Sequence, residues 1–186
     1  MRFSRIFFFL LLLQIHDIHL DAYLDYKSPF HPTISKNGMV VSQNLESSEI
    51  GSMILESGGN AVDAAVAVGF SLTTTLPRAG NIGGGGFMLV YIKESEELFS
   101  IDYRSRSSLN SNLEALFGSK SPAQIQDDDY DLTKFDYKAS AVPGTVFGLL
   151  EAHERFGKLP LEKVLQPVID QARNGIIVSY DLHNAI

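Results

Sequence analysis

The chain of 186 residues contains no cysteine. That absence excludes a disulfide framework, a thiolate zinc centre and a cysteine nucleophile, so any catalysis must use oxygen, nitrogen or carboxylate groups. An excess of positive charge is missing too. Fifteen Lys and Arg stand against 22 Asp and Glu, a formal net charge of -7, which offers no electrostatic grip on a phosphate backbone and argues against nucleic acid as a partner. A membrane-spanning run is also lacking: the unbroken apolar stretch Ile6 to Leu13 falls well short of the ~20 residues that cross a bilayer. What remains is ordinary globular composition, 45% hydrophobic and 20% charged, outside the disordered, collagen-like and coiled-coil classes.

The N-terminus has the pattern of a secretory signal. Met1 to Arg5 is basic, Ile6 to Leu13 is apolar, and His16, Asp17 and His19 restore polarity before a weak cleavage site at Leu20-Asp21-Ala22. Residues 1–22 are therefore expected to be a signal peptide or an uncleaved anchor. The domain is placed outside the cytoplasm: periplasmic, secreted or membrane-anchored. Residues 23–37, with Pro29 and Pro32 and no period, read as a tether. The domain proper is expected over residues 38–186.

Within it, Met39-Val40-Val41 has strand composition, and Ser42 and Asn44 are good caps for a following helix. That helix should bury Ile50, Met53, Ile54 and Ser57 on one face and stop at Gly58-Gly59. Asn60 with Asp63 predicts a second start, and Ala61 to Leu72 is apolar nearly all round, as a helix covered on both sides would be. The Thr73-Thr74-Thr75-Leu76-Pro77 run should end it. Phe87 to Ile92 and Leu98 to Tyr103 read as an antiparallel hairpin with Phe99, Ile101 and Tyr103 on one face. Asn110 to Lys138 reads as a weakly patterned insertion. Its Asp127-Asp128-Asp129 run lacks the Gly and Glu of an EF-hand loop and reads as solvated surface. Pro143 should sit in the first turn of a helix with a Val146, Phe147, Leu149 and Leu150 stripe, ending at Gly157. Pro160 opens another with Leu161, Val164, Leu165, Val168, Ile169 and Ala172 recurring, kinked at Pro167. Ser179 to Leu182 begins a last one.

The sharpest local feature is Gly80-Asn81-Ile82-Gly83-Gly84-Gly85-Gly86. A dinucleotide-binding loop needs G-x-G-x-x-G after a strand and before a helix. In this chain the glycines follow a helix and precede a strand, and no register fits. Four consecutive glycines instead permit close backbone approach or positive φ. The five histidines form no triad, Thr73-Thr74-Thr75 sits at a helix end, and no metal-ligand spacing occurs.

Four ordered motifs then resemble one family. Gly58 to Ala67 (GGNAVDAAVA), Ala79 to Phe87 (AGNIGGGGF), Ile101-Asp102-Tyr103-Arg104 and Val142 to Val146 (VPGTV) are similar, in order and spacing, to the opening of the large subunit of the γ-glutamyltransferase (glutathione hydrolase) family. The resemblance covers about Asn37 to Ile186. It implies an α+β N-terminal-nucleophile hydrolase fold, an αββα four-layer sandwich left incomplete in this chain. It also implies a precursor that cleaves itself to expose a threonine, which attacks the γ-carbonyl of glutathione or another γ-glutamyl amide without a cofactor or metal.

By the same resemblance Arg104 binds the α-carboxylate of the γ-glutamyl group, a task suited to a planar guanidinium. The residues alone leave open a surface arginine paired with Asp102 or Glu94. Where the family has an acidic residue and Ala-Pro after this arginine, the chain carries Ser105-Arg106-Ser107-Ser108, making Arg106 a second candidate ligand. The threonine nucleophile is expected beyond this chain, so no catalytic residue is assigned within it and the isolated chain is expected to be inactive. Its partners would be glutathione or other γ-glutamyl substrates and the remainder of the enzyme, including its small subunit. The alternatives are a noncatalytic secreted module that binds γ-glutamyl compounds or a partner subunit, and a related amide acylase.

Overall fold

Helix α1, Leu45–Glu56, starts where Asn44 accepts a hydrogen bond from the Ser47 N–H at 3.0 Å, satisfying one of the unpaired first-turn donors. It ends in a Schellman arrangement. Gly58 takes φ 89°, its N–H donates to the Leu55 carbonyl and that of Gly59 to the Ile54 carbonyl, both at 3.0 Å. These elements come from a computed structural model that describes residues 34–128 and 136–185. The chain divides into two compact units, Met1–Asn37 and Gly38–Ile186, and all the described helices and strands belong to the second. The signal or anchor expected over residues 1–22 and most of the tether lie outside the described residues, as do Asp129 and Asp131 of the acidic run.

Helix α2, Ala61–Thr75, opens with a reciprocal capping box. The Asn60 side chain accepts from the Val62 and Asp63 N–H groups at 3.0 and 2.9 Å, and Asp63 accepts from the Asn60 N–H at 2.9 Å. α2 packs against α1, against α4 (Thr145–Phe156) and against α5 (Leu161–Asn174). Its residues Val62, Ala64, Val66, Ala67 and Val68 are buried, so the all-round apolar pattern does mark the central helix. Strands β1, Phe87–Ile92, and β2, Glu97–Asp102, pair antiparallel from Phe87↔Asp102 to Ile92↔Glu97. Their turn places Glu96 at φ 56°. Val90 and Ile101 enter the same core as the helices, with Met88, Ile92, Phe99 and Tyr103 packed against it. The opposite face leaves Phe87, Leu89, Tyr91 and Leu98 exposed. Among the described residues, the architecture is one helical layer over one face of a two-stranded sheet, the α+β arrangement of an incomplete four-layer sandwich.

Several local expectations need correction. Met39–Val41 forms no strand among the described residues; Val40 packs on the core, but nothing pairs with its backbone. On α1 the buried face is Ser47, Ile50, Gly51 and Ile54, and Met53 is exposed. The face is turned because Gly51 meets Val40 and Val68 so closely that a Cβ there would stand 2.7 Å from each. α2 runs through Thr75. Thr73 and Thr75 donate their hydroxyls to the Phe70 and Ser71 carbonyls at 2.7 and 3.3 Å, and tertiary contacts outweigh β-branched propensity.

Pro143 lies outside α4, whose N-cap is Gly144, and the buried face of that helix is Gly148, Leu149 and Ala152, with Phe147 exposed. In α5 the core stripe narrows to Val164 and Val168, and the helix continues past Pro167. The insertion holds a short helix, α3, Leu113–Phe117, capped by Asn112 and Gly118, and buries none of its residues. Helix α6, Tyr180–Ala185, follows Ser179, whose hydroxyl accepts from the Leu182 N–H at 3.1 Å. None of the described helices is long and apolar enough to cross a membrane.

Candidate functional site

Three loops meet around the residues after β2. Pairing of the hairpin extends one step beyond the strands: Tyr103 N–H donates to the Gly86 carbonyl at 3.0 Å and Gly86 N–H returns to the Tyr103 carbonyl at 3.3 Å. Three residues later the chain switches partner, and Arg106 exchanges both backbone bonds with Val142 at 3.1 and 2.7 Å. The glycine loop is tied to the start of α4, because the Gly84 carbonyl accepts from Gly144 and Thr145 N–H at 2.8 and 3.2 Å, and the Thr145 hydroxyl donates to the Asn81 carbonyl at 3.1 Å.

These approaches require missing side chains. A Cβ on Gly144 would fall on the Tyr103 carbonyl, and one on Gly148 would fall on the Tyr103 ring. A Cβ on Gly85 would reach the Ser105 nitrogen. The glycines thus supply close approach, and none of Gly83 to Gly86 uses positive φ. The α4 N-terminus already spends its Thr145 N–H on Gly84, a second reason this loop is not a phosphate cradle. Tyr103 is held between Gly86 and Gly148, and burial pushes its phenol above the ordinary value.

The knot presents a cavity of about 320 Å³ lined by Asp102, Tyr103, Arg104, Arg106 and residues of the Val142 to Phe147 segment. Burial alternates from Asp102 to Arg106, with Tyr103 and Ser105 partly covered and Asp102, Arg104 and Arg106 exposed. This is the period of an extended segment, so Arg104 and Arg106 share a side. Asp102 uses its carboxylate to accept the Arg104 backbone N–H at 2.9 Å. Neither Asp102 nor Glu94 pairs with the Arg104 guanidinium, and among the described residues Arg104 and Arg106 have no ion-pair partner. A surface pair, the alternative left open by the residues alone, is not what forms. Both arginines singled out from the sequence line this cavity, together with Phe147, which spacing had assigned to the core.

Other candidate groups turn out to be structural. Thr75 joins Ser47 and Ser71 in a buried hydroxyl cluster with oxygen separations of 2.9 and 2.7 Å from Ser47. Ser71 donates onward to Gln171 at 2.7 Å. His153 donates from Nε2 to the Leu159 carbonyl at 2.9 Å and lies 3.6 Å from Asp63. Asp63 is fully buried and also accepts from Lys158 and Leu159 N–H at 3.0 and 3.2 Å. Its role is to fasten the α4–α5 turn to α2, a contact that sequence spacing did not reveal. Among the described residues no group of acidic residues and histidines could hold a metal ion. A larger groove of about 540 Å³ along β1 and the first turn of α2 takes Lys93, Glu94 and Lys158 as its charged lining and contains no nucleophile paired with a base.

Comparison with known proteins identifies this arrangement. Residues 47–186 match the family described as Gamma-glutamyltranspeptidase. The chain is 42% identical over 150 residues to a glutathione hydrolase proenzyme of Escherichia coli (strain K12), covering 81% of this chain and 25% of that protein. It is 37% identical over 163 residues to an acylase ACY 1 proenzyme of Pseudomonas sp. (strain SE83), covering 87% and 29%. The crystal structure of the Helicobacter pylori gamma-glutamyltranspeptidase superposes with a TM-score of 0.73 at 34% identity, over 83% of this chain and 43% of that one. The helical layer on its sheet is therefore part of an N-terminal-nucleophile hydrolase fold. Within that class the chain belongs to the γ-glutamyltranspeptidase (glutathione hydrolase) family of enzymes. It spans about a quarter of the length of these curated relatives.

Proposed function

We propose that these residues form the substrate-carboxylate side of an exported γ-glutamyltransferase. The observation that supports it most is the exposed, unpaired Arg104 guanidinium at a cavity lined by two of the family-like segments, Ile101 to Arg104 and Val142 to Val146. Arg104 holds the α-carboxylate bidentately, fixing the donor so that its γ-carbonyl faces the nucleophile. The nucleophile is a threonine hydroxyl supplied by the remainder of the enzyme, including its small subunit. Its oxygen bonds to the γ-carbonyl carbon, the amide C–N bond breaks, and the leaving amine takes the proton. Water or an amino acid then receives the γ-glutamyl group from the ester, restoring the threonine. No cofactor enters. Residues 1–22 direct the domain out of the cytoplasm.

The test compares the purified 186-residue chain with the whole protein that carries it, on a chromogenic γ-glutamyl anilide. Only the latter should turn over, and mass spectrometry should trap a γ-glutamyl ester on a threonine outside residues 1–186. Hydrolysis by the chain alone, abolished by Arg104→Ala, would refute the division of labour. The 37% identity to an acylase favours a second reading, an amide acylase of the same fold. It predicts that acyl amides without an α-carboxylate remain good substrates and that Arg104→Ala leaves them unaffected.

A further inference from the structure

We propose that Arg106 is a second anion ligand of the same cavity and selects γ-glutamyl donors bearing a second carboxylate, such as γ-glutamyl peptides. This rests on the α-carboxylate role of Arg104. The first support is placement. Arg106 is held by two backbone bonds to Val142, so its position is fixed by main chain and its side chain is left for other work. Arg104 and Arg106 are two residues apart on an alternately buried segment, which sets their Cα atoms ~6.6 Å apart on one side. Two guanidiniums at that spacing suit two carboxylates on one small molecule better than one carboxylate shared between them.

The second support is charge. A chain of net charge -7 gathers two cations on one cavity with a single carboxylate, Asp102, beside them, and that carboxylate is engaged by the Arg104 backbone N–H. Two adjacent guanidiniums repel, and two bound carboxylates relieve the repulsion that a single one would leave. The third is shape. Phe147, 66% exposed, lines the same cavity and gives the methylenes between the two carboxylates an apolar wall.

The experiment compares two donors in the whole protein that carries this chain: γ-glutamylglycine, with two carboxylates, and γ-glutamyl methylamide, with one. Arg104→Gln should raise KM about thirtyfold for both, the order of a lost charged hydrogen-bond pair. Arg106→Gln should raise KM about fivefold for γ-glutamylglycine, the order of an exposed ion pair, and leave the methylamide unchanged. Arg106→Lys should recover part of the loss. Thermal melts of both variants should match the parent, because both side chains are exposed. Equal effects of Arg106→Gln on the two donors, or none on either, would overturn the selective role while leaving Arg104 standing. No effect of Arg104→Gln on either donor would instead overturn the reading on which the proposal rests.

Discussion

The helical layer and the loop knot around Arg104 are held together in opposite ways. In α1, α2, α4 and α5 the structure depends on atoms that are present: the buried Asp63 carboxylate gathers the N–H groups of Asn60, Lys158 and Leu159. Ser47, Ser71, Thr75 and Gln171 form a chain of hydroxyl and amide contacts between helices. In the knot the structure depends on atoms that are absent. Gly85, Gly144 and Gly148 let backbone and the Tyr103 ring approach to distances no Cβ would tolerate. The helical layer should therefore suffer from deletion of side-chain atoms and the knot from their addition. Arg104 stands on the second kind of structure, where main chain meets main chain.

The largest expected effect breaks the helical side of this contrast. Asp63→Ala removes the capping-box acceptor and leaves buried N–H groups of the α4–α5 turn without a partner, costing about 4 kcal/mol. Chemical denaturation of the variant measures it, and a loss below about 1 kcal/mol would show that the turn is held by packing alone. Next comes the knot. Gly144→Ala should cost about 3 kcal/mol by overpacking against the Tyr103 carbonyl. Gly84→Ala, whose Cβ would find its nearest neighbour 3.6 Å away, should stay within about 1 kcal/mol of the parent. Equal costs for these two glycines would remove the close-approach argument. Ser71→Ala, which strips a donor from Gln171 and a partner from Ser47, should cost about 1.5 kcal/mol, read by the shift in thermal midpoint against an exposed Ser95→Ala control.

The smallest effect concerns pH. Burial raises the Tyr103 phenol above its ordinary 10.0, so folding favours the protonated form. The stability this contributes is whole below pH 10 and is lost as pH rises through the folded value. Ultraviolet titration should show a late-ionising phenol, and Tyr103→Phe should remove that late step. Ionisation of every tyrosine together would contradict the packing of Tyr103 between Gly86 and Gly148.

Local signals in the sequence located most element starts. Asn44 and Asn60 cap helices as their positions predict, and Gly58 stops α1 by its own conformation, whereas the Asn112 cap of α3 lies in a stretch that reads as an unpatterned insertion. Which face of α1 and α4 is buried was not legible. Counting large apolar residues favours Met53 and Phe147, whereas tight packing chooses Gly51, Gly148 and Ala152. Long-range polar contacts were equally hidden, since Asp63 to Lys158 and Ser71 to Gln171 join residues about a hundred positions apart. Arg104 is singled out only through resemblance to the family. Its local pattern differs little from a surface arginine, and its lack of an ion pair is a property of three-dimensional arrangement. Arg106 appears beside it because Val142 returns across the knot to bond its backbone.

We propose that the glycine-built knot presents Arg104 to a substrate carboxylate. The most direct measurement is kcat/KM of the whole protein for a γ-glutamyl anilide, with and without Arg104→Ala, alongside a thermal melt of each. A fall of about a hundredfold at unchanged melting temperature is predicted, the order of a lost bidentate charged contact. Undiminished kcat/KM in the Arg104→Ala protein would contradict the account.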